Sequence, residues 1–223
     1  MEPAWFAEGM PVLAMFPLGS VLFPAMPLAL RVFEERYLKM MGTILENEAP
    51  IFGVVLIERG SEVGGGDKRF DVGTIAEILQ VEAPDGPLAV MARGSDRFRV
   101  VEWFEDDPFP WAQVEMLPNF PMTDDVSERL GSFELKVREI LQELGDDQGG
   151  TWSADIELAE DPLLRLWQLV GISPLGTLDQ QDLLVCDSAT QLLESADRVL
   201  TEAWSVYQAT RDTGRTDPSP ESD

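Results

Sequence analysis

The apolar residues of this chain keep two rhythms, and the switch between them at Pro118-Asn119-Phe120-Pro121 constrains the fold more than any other feature. Before the switch, apolar runs alternate or are too short for a helix, which is strand behaviour. After it they recur every three or four residues, the spacing of one helix face. Residues 12–15 and 26–32 read as the first two strands, with Leu28, Leu30 and Val32 alternating against Ala29 and Arg31. Residues 51–57, 74–82, 88–92, 97–105 and 111–117 supply the others, and Ala83-Pro84-Asp85-Gly86 is a turn in which proline presets φ. One helix interrupts them over residues 34–46, where Tyr37, Met40, Met41, Ile44 and Leu45 form a single stripe. Short strands around one helix predict a small closed or nearly closed barrel, a solution that leaves few sheet edges exposed.

The second half predicts an α-helical lobe, making the chain α+β: a barrel lobe over residues 1–118, helices over 119–209 and a tail over 210–223. A helix starts near Asp124-Asp125, where acids complement the helix dipole, and places Leu130, Phe133, Val137, Ile140, Leu141 and Leu144 on one face. Residues 145–150 read as a flexible connection. Asp161-Pro162 is an N-cap followed by proline at the first helical position, in a helix that Gly171 would close. Thr177-x-x-Gln180 and Ser188-x-x-Gln191 both have the capping-box pattern. The last helix is expected to end near Ala209, and the polar segment from Thr210 onward to be disordered.

Composition excludes several classes of chemistry. Histidine is absent and Cys186 is the only cysteine, which removes the commonest general base, the commonest metal ligand and any intrachain disulfide. Cys186, among Leu183, Leu184 and Val185, reads as a small buried residue. With 41 acidic against 16 basic residues the formal charge is −25, which opposes nucleic acid and anionic membrane alike. No apolar stretch is long enough to span a bilayer and the start lacks a basic signal-peptide region, so a cytoplasmic location is expected. No G-x-x-x-x-G-K-[ST] phosphate loop occurs. Gly64-Gly65-Gly66-Asp67-Lys68 is followed by Arg69 and reads as a hairpin loop.

Phe16-Pro17-Leu18-Gly19-Ser20-Val21-Leu22-Phe23-Pro24 is followed by Leu30-Arg31-Val32-Phe33-Glu34-Glu35-Arg36-Tyr37, a compound arrangement of turn, hook, strand and helix start. Ile51-Phe52-Gly53-Val54-Val55, Val72-Gly73-Thr74-Ile75-Ala76-Glu77-Ile78 and Gly94-Ser95-Asp96-Arg97-Phe98-Arg99-Val100 come after it in order. Together these motifs resemble the amino-terminal, substrate-binding domain of Lon proteases, closely over residues 11–118 and loosely over 119–209. Glu35 stands where that family usually has proline, and both suit a first helical turn. The resemblance implies a PUA-like, mostly antiparallel barrel and a role in binding unfolded polypeptide or a specific client protein. It makes a separate protease a candidate partner and implies no cofactor. An ATPase module and a serine-lysine protease, which Lon proteases also carry, have no counterpart motif in these residues.

Each candidate site has a structural reading beside the functional one. Phe33, Glu34, Arg36 and Tyr37 gather charges at a strand-to-helix junction and are read as structural. The same applies to Phe16, Pro17, Leu18, Gly19, Phe23, Pro24, Gly73 and Glu77 of the other motifs. Trp103, Phe104, Phe109 and Trp111 cluster around an acidic turn. Neighbours on a strand face opposite sides, so at least one of Trp103 and Phe104 points away from the barrel interior. These four are the candidate client surface, with Arg97 and Arg99 as its polar contacts. The paired acids at 106–107, 124–125 and 146–147 lack calcium-loop spacing. Ser132 and Lys136 lack the glycine-flanked setting of a nucleophile. The reading is a non-enzymatic recognition module, with a PUA-like RNA binder or a small-ligand barrel as the alternative.

Overall fold

The computed structural model describes residues 10–59, 68–83, 86–148 and 152–214. Glycines 64–66, turn residues Pro84 and Asp85, connection residues Gly149 and Gly150, and the tail beyond residue 214 lie outside the described residues. The elements are β1 (Val12–Leu18), β2 (Pro27–Val32), α1 (Glu35–Ile44), β3 (Ile51–Arg59), β4 (Lys68–Glu82), β5 (Leu88–Trp103) and β6 (Trp111–Met116), then α2 (Asp124–Gln148), α3 (Pro162–Ile172), α4 (Thr177–Leu184) and α5 (Ala189–Gly214).

The sheet has the order β2-β5-β4-β3-β1-β6, and β6 pairs again with β5. Five strands therefore form a closed ring of pairings, with β2 as a wing outside it. Only β1 and β3 run parallel, Met15 opposite Gly53 and Leu18 opposite Leu56, while the other pairings are antiparallel. Leu13, Met15, Val55, Ile75, Phe98, Val100, Ala112 and Val114 fill the ring. Interrupted registers in β4–β5 and β5–β6 give the curvature that closure needs.

The expected strands 88–92 and 97–105 are one strand of 16 residues. The intervening Gly94-Ser95-Asp96 reads as a break in sequence, yet the chain runs straight through because glycine lets another backbone lie on it. Gly94 N donates to Met26 O at 2.9 Å, Ala25 N donates to Gly94 O at 2.8 Å, and a Cβ on Gly94 would stand 2.2 Å from Phe23 O. Residues 22–26 thus form a hook clasped to β5, with Ala25 held at φ 62°. Buried Thr74 secures the other side, its Oγ1 donating to Leu22 O at 2.6 Å.

Of the stripe predicted for α1, Tyr37, Met40, Met41 and Ile44 are buried, whereas Leu45, the C-cap where the helix ends, is 41% exposed. Tyr37 stacks on Phe16 at 4.1 Å between centroids. These buried residues join one apolar core that continues through the hook, Leu130, Phe133, Val137, Ile140 and Leu141 of α2, and Leu166, Trp167 and Val170 of α3.

Several helix ends differ from expectation. α2 continues to Gln148 through the expected connection, and α5 continues to Gly214 rather than stopping near Ala209. Near this end Trp204 stacks on Tyr207 and Thr210 Oγ1 donates to Val206 O at 2.9 Å. Asp161 caps α3 as expected, but Gly171 lies inside that helix, where a Cβ would meet Met26 at 2.6 Å. Close packing on the hook, not helix termination, requires this glycine. Thr177 is the first residue of α4 behind an N-cap at Gly176, so its box is not formed. Ser188 does cap α5, accepting from Gln191 N at 3.1 Å, while Gln191 Oε1 accepts from Asp187 N.

Cys186 is buried in this core, and burial pushes its thiol pKa up. A raised native pKa means that stability is intact below the ordinary thiol range and declines as pH rises through it. Ellman's reagent at mildly alkaline pH is expected to label the native protein at least ~100-fold more slowly than the denatured chain. Rapid native labelling would show that the helices open around it.

Candidate functional site

Arg97 is where β5 meets the helices, at 4% exposure. Its Nη1 donates to Leu184 O at 2.7 Å and to Cys186 O at 2.8 Å, and Nη2 to Pro118 O at 3.4 Å. The guanidinium lies 4.3 Å from the Phe120 ring centroid and 5.1 Å from that of Trp167. Desolvation lowers its pKa, an effect opposed by Cys186 and Asp187. The expected polar contact for a client is instead an internal clamp. Strand β6 ends at Met116, and the carbonyl of Pro118 just beyond it, outside the strand ladder, is one that Arg97 binds.

Beside this clamp an open groove of about 360 Å³ runs between the hook, β5 and α3. Pro24 and Ala25 form one wall, Leu163, Leu164, Trp167 and Gln168 the other, and Glu77, Arg93 and Asp96 stand at its rim. Trp167 is packed between Phe23 at 5.8 Å and Phe120 at 5.6 Å, which fixes the floor. Leu164 is 41% exposed. Glu77 and Arg93 pair across β4 and β5 at 3.3 Å, both partly open to solvent. Asp96 accepts from Asn119 Nδ2 at 3.2 Å. The arrangement is an apolar slot with charged edges, able to hold a side chain and its flanking polar groups.

The predicted aromatic cluster is dispersed. Phe109 is interior, 2% exposed, with its ring 4.7 Å from that of Trp111. Trp111 is half-buried and lines a separate cleft of about 220 Å³ between β1 and α1. Trp103 is half-buried beneath Arg69, whose guanidinium sits 4.6 Å from the ring centroid and pairs with Asp106. Phe104 and Arg99 face solvent. Phe109 and Arg97 therefore face inward, and the other four residues do not converge on one concavity.

Pro24 and Glu77 of the sequence motifs do reach the groove. Phe23 is buried beneath it, and Gly73 is buried within the ring of strands, where a Cβ would stand 2.1 Å from Val54 O. Phe16, Pro17 and Leu18 are buried in β1, and Gly19 is exposed just after that strand ends. Glu34 accepts from Arg36 Nε at 3.1 Å and Arg36 lies over Tyr37, while Phe33 is exposed. The groove residues of α3 were not singled out in the sequence. Their signal was Leu164, an apolar side chain off the stripe formed by Leu163, Leu166, Trp167 and Val170.

Catalytic constellations fare differently. Lys136 Nζ donates to Asp197 Oδ1 at 2.7 Å and Thr201 Oγ1 at 2.6 Å, on α5, and so is engaged away from Ser132. Among the described residues no three histidine, cysteine, aspartate or glutamate side chains gather as a metal site, and no helix is long and apolar enough to cross a membrane.

Comparison with known proteins gives a consistent answer. The chain is 34% identical over 115 residues to the Lon protease of Porphyromonas gingivalis, covering 50% of this chain and 13% of that protein. It is 27% identical over 207 residues to Lon protease 2 of Herpetosiphon aurantiacus, covering 89% of this chain and 24% of that protein. The chain thus spans a quarter or less of the length of these relatives. Its fold matches the Lon N-terminal domain protein of Xanthomonas campestris with a TM-score of 0.58, at 24% identity over 83% of this chain and 96% of that one. It matches the N-terminal domain of the Mycobacterium avium complex Lon protease with a TM-score of 0.61, at 17% identity over 85% and 98%. The family model for the ATP-dependent protease La (LON) substrate-binding domain matches residues 12–202, and the chain belongs to that family.

Proposed function

We propose that this chain recognises polypeptide segments through the groove between the hook and α3, binding them without bond-breaking chemistry of its own. The groove is the observation that carries this reading. It combines a fixed aromatic floor, an exposed leucine and polar rims, in a family defined by substrate binding. A slot of this kind accepts varied apolar side chains, because leucine, proline and alanine line its walls and the polar groups among the lining, such as Gln168 and Asp96, are bonded to Ala159 N and Asn119. Clients bound here would be passed to a protease or held as such. The net charge of −25 opposes RNA as the ligand.

Leu164→Asp tests the reading. The position is in the first turn of α3, where an acid is favoured by the helix dipole, and its side chain is partly exposed, so stability should change by less than about 1 kcal/mol. Capture of a carboxymethylated, permanently unfolded protein is expected to weaken at least about tenfold, roughly 1.4 kcal/mol. Unchanged capture with an unchanged melting temperature would place recognition elsewhere.

A further inference from the structure

The charges around the groove point to the class of segment it takes. This inference rests on the groove being the client site. The N-terminus of α3, a potential anion receptor, is already occupied: Asp161 Oδ1 accepts from Leu163 N at 3.0 Å and Leu164 N at 2.9 Å. Arg165, the cation nearest that end, donates through Nε to Ala159 O at 2.8 Å and through Nη2 to Glu160 O at 3.3 Å. On the β side, Arg93 is paired with Glu77. Asp96 has no cation partner among the described residues, its recorded contact being the neutral amide of Asn119. Glu160 is exposed next to the lining residue Ala159 and likewise has no cation partner among them.

Among the lining residues one cation, Arg93, stands against two carboxylates, Glu77 and Asp96, and just outside them Arg165 stands against the two neighbouring acids Glu160 and Asp161, so both sides of the groove are net negative. A chain of formal charge −25 reinforces the same sign at longer range. We infer that the groove selects extended apolar segments flanked by lysine or arginine and rejects those flanked by aspartate or glutamate. The apolar residue enters the slot over Trp167, and the flanking cations meet Asp96 and Glu160. Exposed charge pairs act mainly through selectivity and encounter rate, so the preference should be strong at low salt and fade as salt screens it.

Two fluorescein-labelled peptides with one leucine- and phenylalanine-containing core, flanked on both sides by lysines or by glutamates, provide the test by fluorescence anisotropy. The lysine-flanked peptide is expected to bind at least ~10-fold more tightly at low salt, with the ratio falling several-fold near ~0.5 M salt. The double variant Asp96→Asn, Glu160→Gln separates the rim from the whole-chain field, since it removes two of 41 acidic residues. It should lose most of the ratio while keeping the melting temperature. Equal binding of both peptides, or tighter binding of the glutamate peptide, overturns the inference and leaves the groove reading standing. A preference undiminished in the double variant also overturns it, assigning selectivity to the overall charge. If neither peptide binds, the groove reading and the inference fail together.

Discussion

Arg97→Met is expected to lower stability by about 3 kcal/mol or more, because it leaves buried carbonyls without a donor. Leu184 O and Cys186 O receive Nη1, Pro118 O receives Nη2, and the same side chain lies on Phe120 and Trp167. Methionine keeps much of the volume and none of the hydrogen bonds. Lysine keeps the charge but not the planar fork that spans these carbonyls, so Arg97→Lys should also destabilise, by less. For a chain of this size the methionine variant should melt roughly 6–12 °C lower. Denaturant titration read by far-ultraviolet circular dichroism and by tryptophan fluorescence would measure the effect. A loss below about 1 kcal/mol would mean that the helices are held on the barrel by apolar burial alone.

Gly94→Ala should be nearly as damaging. Its Cβ would stand 2.2 Å from Phe23 O, a backbone atom that cannot swing aside. Either β5 or the hook must move, breaking the bonds to Ala25 and Met26 and loosening Phe23 from Trp167. A loss of about 2–4 kcal/mol is expected, within the range for disrupted core packing and unpaired backbone groups. Client capture should fall too, since Pro24 and Ala25 form a groove wall. Gly131→Ala is the contrast: the added Cβ meets nothing within 4 Å on an exposed face of α2. It should stabilise by about 0.5–1 kcal/mol through helix propensity. Thermal melts of the two variants should move in opposite directions.

The readable parts of the sequence were those governed by local rules. Alternation and short apolar runs located the strands, the 37, 40, 41, 44 stripe located α1, and Asp161-Pro162 marked the start of α3 because its cap is made within four residues. Glycines misled, since Gly94 and Gly171 punctuate a sequence but here serve contacts with residues 71 and 145 positions away, Phe23 and Met26. The same distance problem hid the site. The aromatic residues 103–111 are close in sequence yet divide among the interior, a cleft and the surface, while the groove is assembled from residues 24–25, 77, 93–96 and 159–168. Arg97 is the sharpest case. An arginine on a strand reads as solvent-facing, and only the arrival of Leu184 O, Cys186 O and Pro118 O from beyond the strands makes its burial favourable.

The central claim, that polypeptide is recognised at the seam between hook and α3, is tested most directly by placing a photo-crosslinking benzophenone amino acid at position 164 and, in a second protein, at position 104. Both native side chains are partly exposed, 41% and 40%, so neither replacement should disturb the core. On irradiation with a carboxymethylated unfolded client, position 164 is expected to crosslink efficiently and position 104 weakly, with excess unlabelled client suppressing the first. Strong crosslinking from position 104 with little from position 164 would contradict the account and move recognition to the aromatic turn.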